Sequence, residues 1–228
     1  MQRLASVLMV TTLAAWSGAA AAAAPAVGDT FVYRVINAYN GEARGQVTYR
    51  VDRVEADRLT VSVTPDNPAL GVPHTEIVDQ NNNWLRHPVV NHDTPVEYDF
   101  STPYPAYVSP LDSGQSWSQR VNATSKTGRR VSVRVDGDVV GSERVTTPAG
   151  AFDTIKIKRR VYAGDWEPFT YETNIVETDW YAPALGRSVR SERNSGYIDP
   201  QKCAQPAPAC TPVRGDWNVL ELVSYSRK

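Results

Sequence analysis

The sequence predicts an all-β fold: antiparallel strands in two related units that form a curved sheet, half-barrel or barrel, with almost no helix outside a leader peptide. Three observations carry this expectation. Apolar residues recur with a period of two, 16 prolines and 14 glycines punctuate the 228 residues, and a set of short motifs returns in the same order in the second half of the chain.

The elements follow in order. Met1-Gln2-Arg3 gives a short positive start, Leu4 to Trp16 an apolar run, and Ser17 to Ala24 a string of small residues with several Ala-x-Ala options. This is the pattern of a cleaved secretory signal over residues 1–23, with processing near Ala23 or Ala24. No cysteine stands there to receive a lipid, and no later apolar run approaches the roughly 20 residues that a membrane-spanning helix needs. The expected location is periplasmic or secreted. Phe31, Tyr33 and Val35 then alternate with Arg34; Val47, Tyr49 and Val51 with Thr48, Arg50 and Asp52; Leu59, Val61 and Val63 with Thr60 and Ser62. Each is a half-buried strand. Asn40-Gly41 and Ala56-Asp57-Arg58 supply the reversals between them. In the second half Val131, Val133 and Val135 share one face, and Ile155, Ile157 and Val161 form the inward row of a later strand. The intervening Thr147-Pro148-Ala149-Gly150 has the proline and glycine positions of a hairpin turn. No stretch of ten residues carries a convincing apolar 3.6 repeat.

The repetition sets the domain organisation. Gly28-Asp29-Thr30-Phe31 returns as Gly114-Gln115-Ser116-Trp117, and Val47 to Asp52 returns as Val131 to Asp136. Thr75 to Asp79, with Trp84 behind it, returns as Thr173 to Glu177, with Trp180. A first unit over residues 24–109 and a second over 110–228 are expected to share one core, because a half that cannot bury its apolar face alone gains one by pairing. Trp84 and Trp180 are expected to be paired core residues.

Removal of the leader leaves about 204 residues, enough for a sizeable core. The formal charge of −1, from 24 basic and 25 acidic residues, becomes −2 on loss of Arg3, with 23 basic against 25 acidic. Nucleic-acid binding ordinarily needs a basic excess and is not expected. The only cysteines, Cys203 and Cys210, enclose a proline-stiffened loop suited to a disulfide in an oxidising compartment. Closing it is worth roughly 2.5 kcal/mol. A metal or redox role is the competing reading, but the pair lacks Cys-x-x-Cys spacing and a nearby histidine.

Ser142 to Ile157, with Pro110 to Trp117 upstream and Trp180 to Arg190 downstream, resembles an uncharacterised periplasmic β-domain family that includes TapB-like proteins, most clearly over Pro110 to Arg193. The resemblance implies a curved antiparallel sheet akin to the half-barrels of lipoprotein carriers and, in some members, a link to pilus or envelope assembly. It implies no catalytic residues. The loop between Cys203 and Cys210 looks inserted relative to that pattern, and the plug helix a half-barrel carrier would need is not found in the sequence.

Few residues suggest chemistry. His87, His92 and Asp93 form the one cluster with a faint metal-ligand spacing, in what reads as a solvated, proline-flanked loop, and no metal or cofactor is expected. No Gly-x-Ser-x-Gly or Ser-x-x-Lys motif offers a nucleophile. Glu97 with Asp99, and Glu177 with Asp179, would each lie about 7 Å apart on one strand face, within reach of glycosidase geometry, but alternation alone would also make them outward acids. Basic residues bunch at Lys156, Lys158, Arg159 and Arg160, with Arg129, Arg130 and Arg134, and the even-numbered members read as an outward face that discourages edge pairing.

Two aromatic stretches are the candidate binding residues. Tyr98, Phe100, Tyr104 and Tyr107 interleave with Pro103, Pro105 and Pro110 in what reads as an extended connection outside the central strands, covering the core or facing a partner. Trp166, Phe169 and Tyr171 crowd a second loop. The expected function is a non-catalytic module that holds an extended partner (an envelope protein strand, a lipid or a glycan) through apolar burial and strand-edge hydrogen bonds. The alternative is a hydrolase whose carboxylates come together from distant strands.

Overall fold

The computed structural model describes residues 25–91, 94–164, 173–199, 210 and 212–228. His92, Asp93, Trp166, Phe169, Tyr171 and Cys203 lie outside the described residues.

Twelve strands run in sequence: β1 (Thr30–Asn37), β2 (Ala43–Val54), β3 (Arg58–Pro65), β4 (His74–Asp79), β5 (Trp84–Asn91), β6 (Thr94–Tyr104), β7 (Ser116–Ser125), β8 (Arg130–Thr147), β9 (Gly150–Ala163), β10 (Thr173–Ala182), β11 (Arg187–Tyr197) and β12 (Val213–Ser226). Every strand pairs antiparallel with its sequence neighbours, and β1 pairs with β12, so the sheet closes into a barrel. Among the described residues the sole helical element is a 3-10 turn at Pro68–Leu70. The anticipated hairpins form where their turn residues stand. The Gly41 N–H donates to the Asn37 carbonyl at 2.7 Å, and Thr147 pairs with Gly150, whose φ of 135° an L side chain would resist.

Alternation places the apolar row inside. Val131, Val133, Val135 and Val139 of β8 are buried with Ile157 and Val161 of β9, while Lys158 and Arg160 face out. A first core cluster joins these to Val89, Tyr98, Phe100 and Trp117. A second gathers Phe31, Tyr33, Val189 and Leu222. The Trp117 indole lies flat against Gly137, directly across the β7–β8 ladder, and a Cβ there would overlap its ring.

The repeated motifs fall on β1 and β7, β2 and β8, and β4 and β10, in each case six strands apart. The two tryptophans do not follow that spacing. Trp84 opens β5, whereas Trp180 lies within β10, in a different core cluster.

Three expectations need correction. The Tyr98–Tyr104 stretch is not a connection outside the sheet. Tyr98 and Phe100 sit in β6, bonded to β5 on one side and to β7 on the other through Tyr98–Phe100. Pro103 follows just where the β7 ladder has ended, as a residue without an N–H requires. His87 is not in a solvated loop but buried in β5. Ring closure also pairs the terminal strands, removing the open edge on which strand addition would depend.

The segment after β6 turns into the barrel. Pro105, Ala106 and Tyr107 are buried, and their backbone is held by side chains from β7, β9 and the turn between β4 and β5. Trp117 Nε1 donates to the Pro105 carbonyl at 3.0 Å, Arg159 to the Ala106 carbonyl at 3.0 Å, and the Tyr107 N–H donates to Asn83 Oδ1 at 2.7 Å. This irregular turn occupies the interior where a carrier half-barrel would place a helix.

Candidate functional site

The inward faces of β4, β5, β9, β10 and β11 carry a charged cluster at the centre of the barrel. Alternation along β9 sets Arg159 between Ile157 and Val161, and along β10 it sets Glu177 and Asp179 after Ile175, so all three side chains follow the apolar row inward. Glu177 stands directly opposite Arg159 on one neighbour and Arg193 on the other, an alternating-charge row of the kind that stabilises paired strands. Arg159 is 2% exposed. Its Nε donates to Glu177 Oε2 at 3.0 Å, and its Nη2 to Asp179 Oδ2 at 2.5 Å. Arg193 reaches Glu177 Oε1 at 2.8 Å. The remaining acceptors of the pair are filled by Tyr104 on Glu177 at 3.3 Å, and by Tyr107 at 2.9 Å and Ser191 at 2.5 Å on Asp179.

A second anchor lies across the interior. Glu76 of β4 is 4% exposed. It accepts from Trp84 Nε1 at 3.1 Å and faces His87 Nδ1 at 2.9 Å. The His87 ring stacks on Trp84 with centroids 4.2 Å apart. Its Nε2 lies 3.4 Å from Arg193, which links the two halves of the network.

Burial alone would raise the Glu76 and Glu177 pKa values. For Glu76 the His87 imidazole, with the His74 imidazole 3.7 Å away, outweighs it and holds the carboxyl well below the usual carboxylate range. For Glu177, Arg193 and then Arg159 outweigh it and bring the value to about 2. Tyr104 and Tyr107 are pushed well above 10, first by burial and then by the adjacent Glu177 and Asp179, so both remain hydrogen-bond donors.

Beside this cluster is a cavity of about 220 Å³. Its lining is partly charged, with Glu76, Arg159, Glu177, Arg187 and Arg193, and partly aromatic and aliphatic, with Tyr33, Tyr49, Leu59, Val61, Val78 and Leu220. A second cavity of about 170 Å³, walled by Val35, Val47, Val63 and Leu70, shares Tyr49 and Leu220 with the first. Among the described residues no group of three His, Cys, Asp or Glu side chains is placed to hold a metal ion.

Of the sequence candidates, Tyr98, Phe100 and Tyr104 are buried in the core, and Tyr107 lines the cavity. Glu97 and Asp99 are not near it and pair instead with Lys126 and Arg86. Glu177 and Asp179 are inward, contrary to the outward expectation, and Arg159, the odd-numbered member of the basic bunch, is inward while Lys158 and Arg160 face out. Their odd-numbered register with Ile157 and Ile175 was the signal. Trp180, apart from the cavity, is flanked by the Lys156 and Arg190 cations at 4.8 and 5.1 Å from its ring.

These features define a class: a closed antiparallel meander barrel with an internal turn, a neutralised charged cluster and an adjoining cavity. Residues 91–196 match the DUF3108-like family. The fold is similar to that of a predicted lipoprotein from Parabacteroides distasonis, at 18% identity and a TM-score of 0.51, over 89% of this chain and 97% of the other. It is also similar to that of a predicted exported protein with a YmcC-like fold from Bacteroides fragilis, at 18% identity and a TM-score of 0.50, over the same shares. No curated relative matches the sequence.

Proposed function

We propose that the chain is an exported, non-enzymatic binding module, in two related halves around one core, that takes an extended amphipathic ligand into the barrel for envelope assembly or transport. The observation that carries this reading is the 220 Å³ cavity, lined by rings and aliphatic side chains together with a few charged groups whose carboxylates already hold internal partners. Such a concave, mostly apolar space with a few fixed polar groups is the usual form of a small-molecule site. A lipid or the apolar portion of a glycolipid suits it better than a protein strand, because the closed ring leaves β1 and β12 paired.

Export is supported by the leader pattern of Met1 to Ala24 and by the descriptions of the two similar structures as a predicted lipoprotein and a predicted exported protein. A role in envelope assembly draws on the resemblance to TapB-like proteins over Pro110 to Arg193. The outward residues Arg134, Asp136, Lys158 and Arg160 are unlike the apolar band that a transmembrane barrel turns toward lipid. The hydrolase alternative is disfavoured because the Glu177 and Asp179 oxygens are already engaged by Arg159, Arg193, Tyr104, Tyr107 and Ser191, leaving neither carboxylate directed at a substrate or water.

The test is a fluorescence titration of the mature protein with the neutral apolar probe N-phenyl-1-naphthylamine. Saturable one-site binding is expected, and Val61→Trp, which fills the cavity, should abolish it while circular dichroism shows the fold retained. Weak non-saturable binding, equal in both proteins, would overturn the reading.

A further inference from the structure

Three arginines line the cavity, and two of them are matched. Arg159 and Arg193 each hold a carboxylate within 3.0 Å. Arg187 does not. Among the described residues no carboxylate lies within 4.0 Å of its guanidinium, and its one hydrogen bond is from Nε to the Tyr33 hydroxyl at 3.1 Å. The cation instead rests among rings, 4.3 Å from the centroid of Tyr49, 5.2 Å from Phe31 and 5.9 Å from Tyr33. Ring faces attract the charge but accept no in-plane N–H bonds, and a guanidinium carries five such donors in a fork that fits a carboxylate. A cation held in place by packing, with donors unspent beside an open cavity, is prepared for an anion from outside the protein.

The rest of the cavity limits what that anion is. Glu76, Glu177 and Asp179 line the same space, so each negative charge beyond the first on a ligand meets repulsion that Arg187 alone cannot offset. Away from Arg187 the wall is Leu59, Val61, Val78 and Leu220, continuing to Val35, Val47 and Val63 of the adjoining cavity. Filling the first cavity at the density of protein interiors, about 0.75, takes roughly 165 Å³ of ligand atoms, on the order of eight to ten carbons, with the second cavity available to a longer chain.

Resting on the binding reading above, we propose that the ligand is a free monocarboxylate with an aliphatic chain, its carboxylate bound by Arg187 and its chain lying along the Tyr49–Leu220 wall. An acyl ester lacks the charge and forfeits the Arg187 bond, so the site distinguishes free acid from esterified lipid.

Calorimetric titration with dodecanoate, dodecanol and methyl dodecanoate tests this. The expected result is dodecanoate binding about tenfold or more tighter than the alcohol or the ester, as a charge-assisted bidentate pair implies. Arg187→Gln should bring the ratio of dodecanoate to dodecanol affinity to within about twofold of one, and Arg187→Lys should retain part of the difference. If Arg187→Gln does not fold, the wild-type comparison of acid with alcohol decides alone. Equal affinity for all three compounds would overturn the carboxylate assignment while leaving the cavity reading intact. Binding of none of them, with N-phenyl-1-naphthylamine also failing, would overturn both.

Discussion

Replacing Arg159 with methionine keeps the apolar stem of the side chain and deletes the charge shared by Glu177 and Asp179. Three hydrogen bonds disappear, including the one that fixes the Ala106 carbonyl of the internal turn. Two carboxylates one strand-pitch apart on β10 are left buried with less compensation. Removing one partner of such a buried network costs about 3–5 kcal/mol. The titration of Glu177 gives an independent scale. A shift from 4.5 to about 2 corresponds to about 3 kcal/mol at neutral pH, shared between Arg193, the larger contributor, and Arg159. For a domain of this size the expected loss in Tm is about 6–20 °C. Urea unfolding followed by tryptophan fluorescence reads the same quantity. Adding Asp179→Asn to Arg159→Met removes the carboxylate left without a cation, while Glu177 keeps Arg193, and should recover more than half of the loss. A destabilisation below about 1 kcal/mol, or no recovery in the double variant, would refute the claim that this cluster is a tightly coupled buried network.

Other expectations follow from single contacts. Because Glu177 is more acidic folded than unfolded, its contribution is complete above pH 4.5 and fades as the pH falls toward 2; stability measured across that range should drop in the wild type and drop less in Glu177→Gln. Gly137→Ala sets a Cβ into the Trp117 indole and should cost about 1–3 kcal/mol, with Trp117→Leu in the same chain relieving part of it, both read by thermal melting. Leu222→Ala empties a fully buried position of the second core cluster and should cost about 2–5 kcal/mol by urea denaturation. Lys158→Ala, on the outward face beside Arg159, should change stability by less than about 0.5 kcal/mol in the same assay.

How much of this could be read in advance follows from the period of two. Phe31, Val47, Val61, Val133 and Ile157 all point inward, as their alternation requires, and the turns at Asn40-Gly41 and Pro148-Ala149-Gly150 lie where their backbone needs place them. The same rule, followed through its polar members, sends Arg159, Glu177 and Asp179 inside. For Glu177 and Asp179 the outward reading set charge above register, but a charge can stay on the inner row when the facing strand supplies its partner. Ser188 was beyond that rule. The ladder slips between Trp180 and Tyr181, leaving Val189 as the extra residue, so Ser188 and Val189 are both buried although consecutive, and bulges leave no signature in alternation. The inward turn at Pro105–Tyr107 was likewise hidden, because its buried carbonyls are satisfied by Trp117 and Arg159 from strands far along the chain.

The most direct measurement is a ¹H–¹⁵N NMR titration of the mature protein with dodecanoate, followed at the indole Nε1–H groups. Trp84 donates to Glu76 at the cavity wall, whereas Trp117 donates to Pro105 in the filled core and Trp180 to Glu143. A saturable shift of the Trp84 resonance, with those of Trp117 and Trp180 unmoved, is the predicted result. A Trp84 resonance that stays fixed while others move would contradict a ligand site inside the barrel.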